Sequence, residues 1–323
     1  MLRDWLKVRR VHRRGRRALR ALARGDLLVA EARLTDAIEL SRRMWGDDAN
    51  PQSIAMLSNL VDVHRYLGRV QAARELGEQV VESARQVVGE DHVITLRAMN
   101  NLALARAAAG DLSGARALHE QEVATSRRVG GPTHPETLIS EANLARCLYL
   151  QGKLDAAHDA WSRLVPLSEQ VYGPDHPFTL VAVDELGVVT AARGDLSSAH
   201  ALHQRAVDGF GRSTHWRNRP SALSAAANLA AVEARLGDPH EPCERLEGVL
   251  TTLRRTRGDD HPDTLDVLEL LVDVRDRTGD TDTARRDSAE LVDRSRRTLG
   301  DDHFRTTARI RRDVELAGRS RNE

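Results

Sequence analysis

The chain is predicted to be all-α, a right-handed α-solenoid of about seven helix-turn-helix units with a 42-residue period and a C-terminal capping helix. Three observations predict it. A turn glycine recurs at Gly25, Gly68, Gly110, Gly152, Gly194, Gly237 and Gly279, with successive spacings of 43, 42, 42, 42, 43 and 42. A second punctuation falls between these marks, as in Gly89-Glu-Asp-His92, Gly131-Pro-Thr-His-Pro135, Gly173-Pro-Asp-His-Pro177, Gly258-Asp-Asp-His-Pro262 and Gly300-Asp-Asp-His303. Aromatic residues are only 3% of a chain that is 41% hydrophobic and 30% charged. An Ala- and Leu-rich core suits closely packed helices better than sheets, which need aromatic and β-branched residues.

The elements follow in order. Residues 1–7 are read as a basic arm. Residues 8–302 hold the hairpins, in units near 8–46, 47–89, 90–131, 132–173, 174–215, 216–258 and 259–300. Two turn signals per repeat leave two segments, helix A and helix B, each with helical spacing. In one unit, Leu138, Leu144, Ala145 and Leu148 share a face of helix A, and Leu154, Ala157, Trp161, Leu164 and Val165 share a face of helix B. Pro135, Pro177 and Pro262 suit a first helical turn, where the missing N–H would be orphaned anyway. The preceding Asp or His can cap, and Gly closes the helix before it.

Small residues recur where helices must approach. Five positions after the turn glycine stand Ala30, Ala73, Ala115, Ala157, Ala199 and Ala284, with Pro242 breaking the series. Seven before it stand Ala18, Ala103, Ala145, Gly187 and Ala230, with Val61 and Val272 as exceptions. Segment 209–220 is a degraded loop that keeps Gly211, His215 and Pro220, with Trp216 as a bend or contact point. Residues 303–323 read as a capping helix whose polar outer face carries Arg309, Arg311, Arg312 and Asp313.

The string Gly-x-Asp-His-Pro-x-Thr-Leu, followed by Asn-Leu-Ala, Gly-Asp and Ala, resembles tetratricopeptide repeats of the kinesin light chain type, which use a 42-residue unit. Its best copies run from Gly89 to Gly110, with Asn101-Leu102-Ala103, and from Gly131 to Gly152, with Asn143-Leu144-Ala145. HEAT and armadillo repeats have similar periods, but the paired Gly turns and Asn-Leu-Ala argue against them. Arginine far exceeds lysine, as in a GC-rich, actinobacterial genome.

The resemblance implies that A helices line a concave groove that holds a protein segment or extended peptide, making the chain a non-catalytic scaffold or adaptor. The Asn of Asn-Leu-Ala would then clamp peptide backbone, since a carboxamide both donates and accepts. That position is Asn59, Asn101, Asn143 and Asn228, but Arg16, Glu185 and Leu270 in other units. Further inward positions are Arg65, Tyr66, Arg97, Arg146 and Tyr149 in the earlier units. In the later units they are Asp184, Asp266, Glu269, Asp273 and Asp276. The set predicts a groove basic towards its N-terminal half and acidic towards its C-terminal half, which would orient a ligand of matching polarity.

Other function classes are weighed on the same residues. Residues 1–24 carry ten basic side chains against one acid, Asp4. This arm could contact nucleic acid or an anionic membrane, but no aromatic residues beyond Trp5 interleave for base stacking. A peptide-sensing regulator is a further alternative. His92, His134, His176, His261 and His303 fall one per repeat, too far apart for one metal, and are read as loop caps. His200 and His203 share a helix face without a completing ligand set. Cys147 sits on an apolar face and Cys243 lies far from it, so no disulfide framework or metal spacing is present. No nucleophile elbow or phosphate loop occurs, and no cofactor is expected. Net formal charge is zero. With no apolar run long enough to span a bilayer, and no apolar stretch of a secretion signal, a cytoplasmic location is expected.

Overall fold

The computed structural model describes residues 13–22, 26–45, 50–212, 220–301 and 303–319. Every regular element among them is an α-helix. The basic arm, Trp216 and His215 lie outside the described residues. The helices pair into hairpins. These are α1 (13–22) with α2 (Leu27–Trp45), α3 (Pro51–Tyr66) with α4 (Val70–Val88), and α5 (Val93–Ala108) with α6 (Leu112–Gly130). They continue as α7 (Pro135–Leu150) with α8 (Leu154–Tyr172), α9 (Pro177–Ala192) with α10 (Leu196–Gly211), and α11 (Pro220–Leu236) with α12 (His240–Arg257). The last pair is α13 (Pro262–Thr278) with α14 (Thr281–Leu299), after which α15 (Phe304–Arg319) stands alone.

The chain divides into two compact units, Met1–Ser140 and Glu141–Glu323. The first has a core built around Ala18, Leu34, Ile38, Ile54, Leu57, Val61, Val80, Met99 and Leu102. In the second, Leu246, Leu250, Leu253, Leu265, Leu268 and Leu271 lead a core cluster. Within each unit, consecutive helices pack antiparallel, and successive A helices also touch, as α3 does α5 and α11 does α13.

The loop motif is a set of linked hydrogen bonds. The Nδ1 atoms of His92, His134, His176, His261 and His303 accept the backbone N–H two residues on, at 3.1–3.3 Å. That satisfies one orphan donor of each A helix. The Thr hydroxyl three residues after four of these His then reaches back to the loop glycine, whereas Thr306, after His303, donates to the Ser295 carbonyl. Thr95, Thr137, Thr179 and Thr264 donate to the carbonyls of Gly89, Gly131, Gly173 and Gly258 at 2.6–2.9 Å. In the second hairpin Asn50 takes the place of His, and its Oδ1 accepts from the N–H of Ser53 at 2.9 Å. Loop aspartates close the set onto helix B, with Arg128 donating to Asp91 at 2.8 Å and Arg294 to Asp260 at 2.8 Å. The loop glycine is obligatory: Gly258 has φ 92 and ψ 162, a region open only to residues without a Cβ.

Inside each hairpin, the small-residue position of helix A is matched by a position sixteen residues on in helix B. The pairs are Ala18/Leu34, Val61/Gly77, Ala103/His119, Ala145/Trp161, Gly187/His203, Ala230/Leu246 and Val272/Ser288. All fourteen residues are buried. Direct proximity is plain in the fifth pair, where a Cβ added to Gly187 would lie 2.7 Å from the His203 ring. The two valines that interrupt the small series fall opposite glycine and serine. Each pair thus joins one larger and one smaller side chain, although the room at Gly77 is taken up by Leu102 of the next hairpin, 3.0 Å from where a Cβ would stand.

The terminal helix corrects one expectation. Arg309 and Arg312 are not on an outer face. Arg309 is 3% exposed, and its guanidinium donates to Glu269 at 2.6 and 2.9 Å and to Ser295 Oγ at 3.0 Å. Arg305 pairs with Asp266 at 2.7 Å, and Arg312 with Asp276 at 2.8 Å and Asp273 at 3.2 Å. Helix α15 thus docks as an eighth A helix, laying a basic stripe along the acidic stripe of α13.

Candidate binding surface

The predicted surface residues come from helix A, at positions that recur with the repeat. In the first unit, Asn59 donates to the Ala55 carbonyl of its own helix at 2.9 Å. Asn101 donates to the Ser58 carbonyl at 2.8 Å, so its carboxamide bridges from α5 to the preceding A helix. Arg65 pairs with Asp62 at 2.9 Å and lies over the Tyr66 ring, 4.1 Å from its centre. Arg97 is exposed.

In the second unit, Asn228 repeats the backward reach of Asn101 but finds a side chain. Its Nδ2 donates to Asp184 Oδ2 at 3.0 Å. Asp184 Oδ1 faces His203 Nδ1 at 2.6 Å. Asp184 is 7% exposed, so it supports the surface from behind and does not present a free carboxylate. Asn143 is half-buried.

Arg146, Tyr149 and Glu185 come together. Arg146 stands 3.8 Å from Glu185, whose side chain is 20% exposed. Burial pushes the Glu185 carboxyl above the usual carboxylate range; Arg146 and Arg305 oppose that rise, and Asp184 and Asp266 add to it. Burial likewise raises the Tyr149 hydroxyl, with Glu185, Glu269 and Asp266 raising it further against Arg305. Side chains from α7, α9, α13 and α15 therefore share one electrostatic neighbourhood, although they are far apart in sequence. Tyr149 stays protonated, able to donate and accept.

The acidic half of the expected polarity is also corrected. Asp266, Glu269, Asp273 and Asp276 are neutralised in large part by Arg305, Arg309 and Arg312. Four carboxylates meet three guanidiniums there, and the carboxyl with the weakest partner is Glu185.

Sequence reasoning missed two buried polar clusters. One is His203–Asp184–Asn228. The other joins His119 to Glu122 at 3.1 Å and Glu122 to Ser140 at 2.8 Å, with all three residues buried. The signal was available: both histidines occupy the helix-B core position that holds Leu34, Trp161 or Leu246 elsewhere. His200 is separate, with Nε2 3.4 Å from Glu233. Among the described residues, no group of three or more His, Cys, Asp or Glu is placed to hold a metal ion. Among the same residues, no helix is long and apolar enough to cross a membrane. Cys147 is buried.

Helix-turn-helix units in tandem, joined by capped loops and stacked through their A helices, define the class of all-α hairpin-repeat proteins. The tetratricopeptide repeat model matches residues 52–127, 99–160 and 221–296. The chain belongs to the tetratricopeptide repeat family, and its repeats are of the kinesin light chain-like kind. A structure of "kinesin light chain nearly identical TPR-like repeats" from Podosopora anserina is 28% identical, with a TM-score of 0.53, covering 64% of this chain and 97% of that one. BtubC (BKLC) from P. vanneervenii is 18% identical, with a TM-score of 0.58, covering 72% of this chain and 92% of its own. A Rap protein complexed with Competence and Sporulation Factor is 11% identical, with a TM-score of 0.55, covering 96% of this chain and 98% of its own. No curated protein matches the chain.

Proposed function

We propose that the chain is a non-catalytic scaffold that binds a protein segment or extended peptide on the surface formed by its A helices. One observation carries this reading: Arg146 of α7 stands 3.8 Å from Glu185 of α9, and Arg305 of α15 pairs with Asp266 of α13 at 2.7 Å, with Tyr149 and Glu185 feeling the charges of both pairs. Such convergence gives an extended guest several polar anchors from rigid elements. Arg146 and Tyr149 are the anchors of the second unit. Asn59, Asn101, Asn143 and Asn228 are the repeat's candidate contacts to peptide backbone, of which Asn101 and Asn228 also reach back to the preceding A helix, and Arg65 and Arg97 supply cationic contacts in the first unit. A peptide-sensing regulator is the second reading, favoured by the shared fold of the Rap complex over nearly the whole chain. A cytoplasmic setting fits either reading.

The test is capture of partners from the native host, followed by affinity measurement on the captured segment. Replacing Arg146 and Tyr149 together by Ala should weaken binding by roughly tenfold or more while the helical signal and melting midpoint hold. Unchanged affinity in a folded variant would remove this surface from the reading. Solution scattering on the same complex separates scaffold from regulator, since only the latter needs a changed radius of gyration.

A further inference from the structure

The second unit contains an asymmetry that points to the chemistry of its guest. Helix α11 is bare where its neighbours carry charge. Its Ser224, Asn228 and Ala231 occupy the repeat positions filled on α13 by Asp266, Leu270 and Asp273, and on α9 by Val181, Glu185 and Val188. These three residues of α11 are half-buried. A strip of short side chains therefore lies between Glu185 on one neighbouring helix and Asp266 and Glu269 on the other.

The two walls differ in how their charges are met. The α13 carboxylates are held by Arg305, Arg309 and Arg312 at 2.6–3.2 Å. Glu185 has Arg146 at 3.8 Å, on a side chain that is 54% exposed. That pair is long and easily exchanged for another cation. Tyr149 shares the neighbourhood of both walls. Over the set Arg146, Asp184, Glu185, Asp266, Glu269 and Arg305, joined by Arg309 through Asp266 and Glu269, carboxylates outnumber guanidiniums four to three.

We infer that this part of the second unit is a subsite for one basic side chain, lysine or arginine, of an extended peptide, and that Glu185 is the carboxylate that selects it. The aliphatic stem of such a side chain packs on the short residues of α11, while its charged head reaches Glu185. The Tyr149 hydroxyl accepts a further hydrogen bond, and its ring offers a face to a cation. An acidic side chain would meet Glu185 and the α13 row and be repelled. Asn, which four other repeats carry at this position, cannot make that distinction. The inference rests on the peptide-binding reading above.

The experiment uses the full chain and a set of capped, fluorescent dodecapeptides of Gly, Ser and Thr. One central position in each is Lys, Arg, Glu, Asp or norleucine. Anisotropy should show the Lys or Arg peptide binding roughly tenfold tighter than the norleucine peptide. In Glu185→Gln the preference should fall to about twofold. Asp273→Asn, whose carboxylate Arg312 already holds, should keep it. If Glu185→Gln does not fold, Glu185→Asn restores the residue common in other repeats and serves instead. A preference for Glu or Asp, or a basic preference that survives loss of Glu185, overturns the inference. If partners are captured from the host but no basic preference appears, this inference alone falls. If neither peptide nor partner binds, the surface reading falls with it.

Discussion

His119 and His203 hold the same place two repeats apart, one in each compact unit, and they are satisfied in opposite ways. His119 takes its carboxylate locally, from Glu122 one turn along the same helix at 3.1 Å. His203 takes its carboxylate from the other helix of its hairpin, Asp184 at 2.6 Å, and the second oxygen of Asp184 serves Asn228 on the next A helix. Both arrangements answer the same requirement, since a buried imidazole left without a partner is costly. Only the second fastens three helices from two hairpins. It also needs more room, and the Ala103 of the first site becomes Gly187 in the second.

The comparison can be broken by removing each carboxylate. Asp184→Ala strands both His203 and Asn228, and should cost about 3–4 kcal/mol in chemical denaturation. Glu122→Ala strands His119 alone, since the Ser140 hydroxyl keeps the Glu136 carbonyl as acceptor at 2.8 Å, and should cost about 2 kcal/mol. Equal costs would show that drawing in a third helix adds nothing, since the Glu122 site already joins α6 to α7 through Ser140.

A second, smaller effect sharpens the steric half of the contrast. Gly187→Ala should destabilise by about 2 kcal/mol, because its Cβ would meet a buried ring that Asp184 holds in place. Shortening His203 to Ala in that background should recover the steric part, leaving a non-additive cycle. Strict additivity of the two substitutions would refute direct contact as the reason for glycine.

The smallest effect lies one residue along, at Glu185. Its folded carboxyl is raised above the ordinary value near 4.3 by burial, so the native state binds the proton more tightly than the unfolded chain. The contribution of Glu185 is therefore favourable below that ordinary value and is lost as pH rises towards the raised one. Glu185→Gln should remove this slope, so its stability should gain on the wild-type chain between mildly acid and neutral pH. Parallel curves for the two proteins would show that the carboxyl is well solvated.

Much of the fold was legible because glycine and proline act locally. A glycine at φ 92 and ψ 162 needs no tertiary context to be required, and His-Pro-x-Thr after it caps whatever helix follows. The small-residue series also read correctly, yet Val61 and Val272 stayed unexplained until their helix-B partners were known, because volume is a property of pairs. The terminal helix misled for a related reason. Arg309 on a polar helix reads as solvent-facing until the acidic stripe at 266, 269, 273 and 276 is placed beside it. The surface was legible in part. Helix-A positions singled out Arg146, Tyr149 and Glu185 as candidates, but did not show that Asp184 is buried against His203 and Asn228, or that the α13 acids are already met.

The pairwise volumes have a consequence for how such a chain can be recombined. A hairpin with valine on its first helix has glycine or serine on its second, and one with alanine has leucine, histidine or tryptophan. Exchanging single helices between repeats would create a void in one product and a clash in the other. Whole hairpins, cut at the Gly-x-Asp-His loop, keep both members of each pair, although Gly77 would still have to meet a Leu102-like residue on its new neighbour. That loop is the natural splice point for duplication, and the short turn within a hairpin is not.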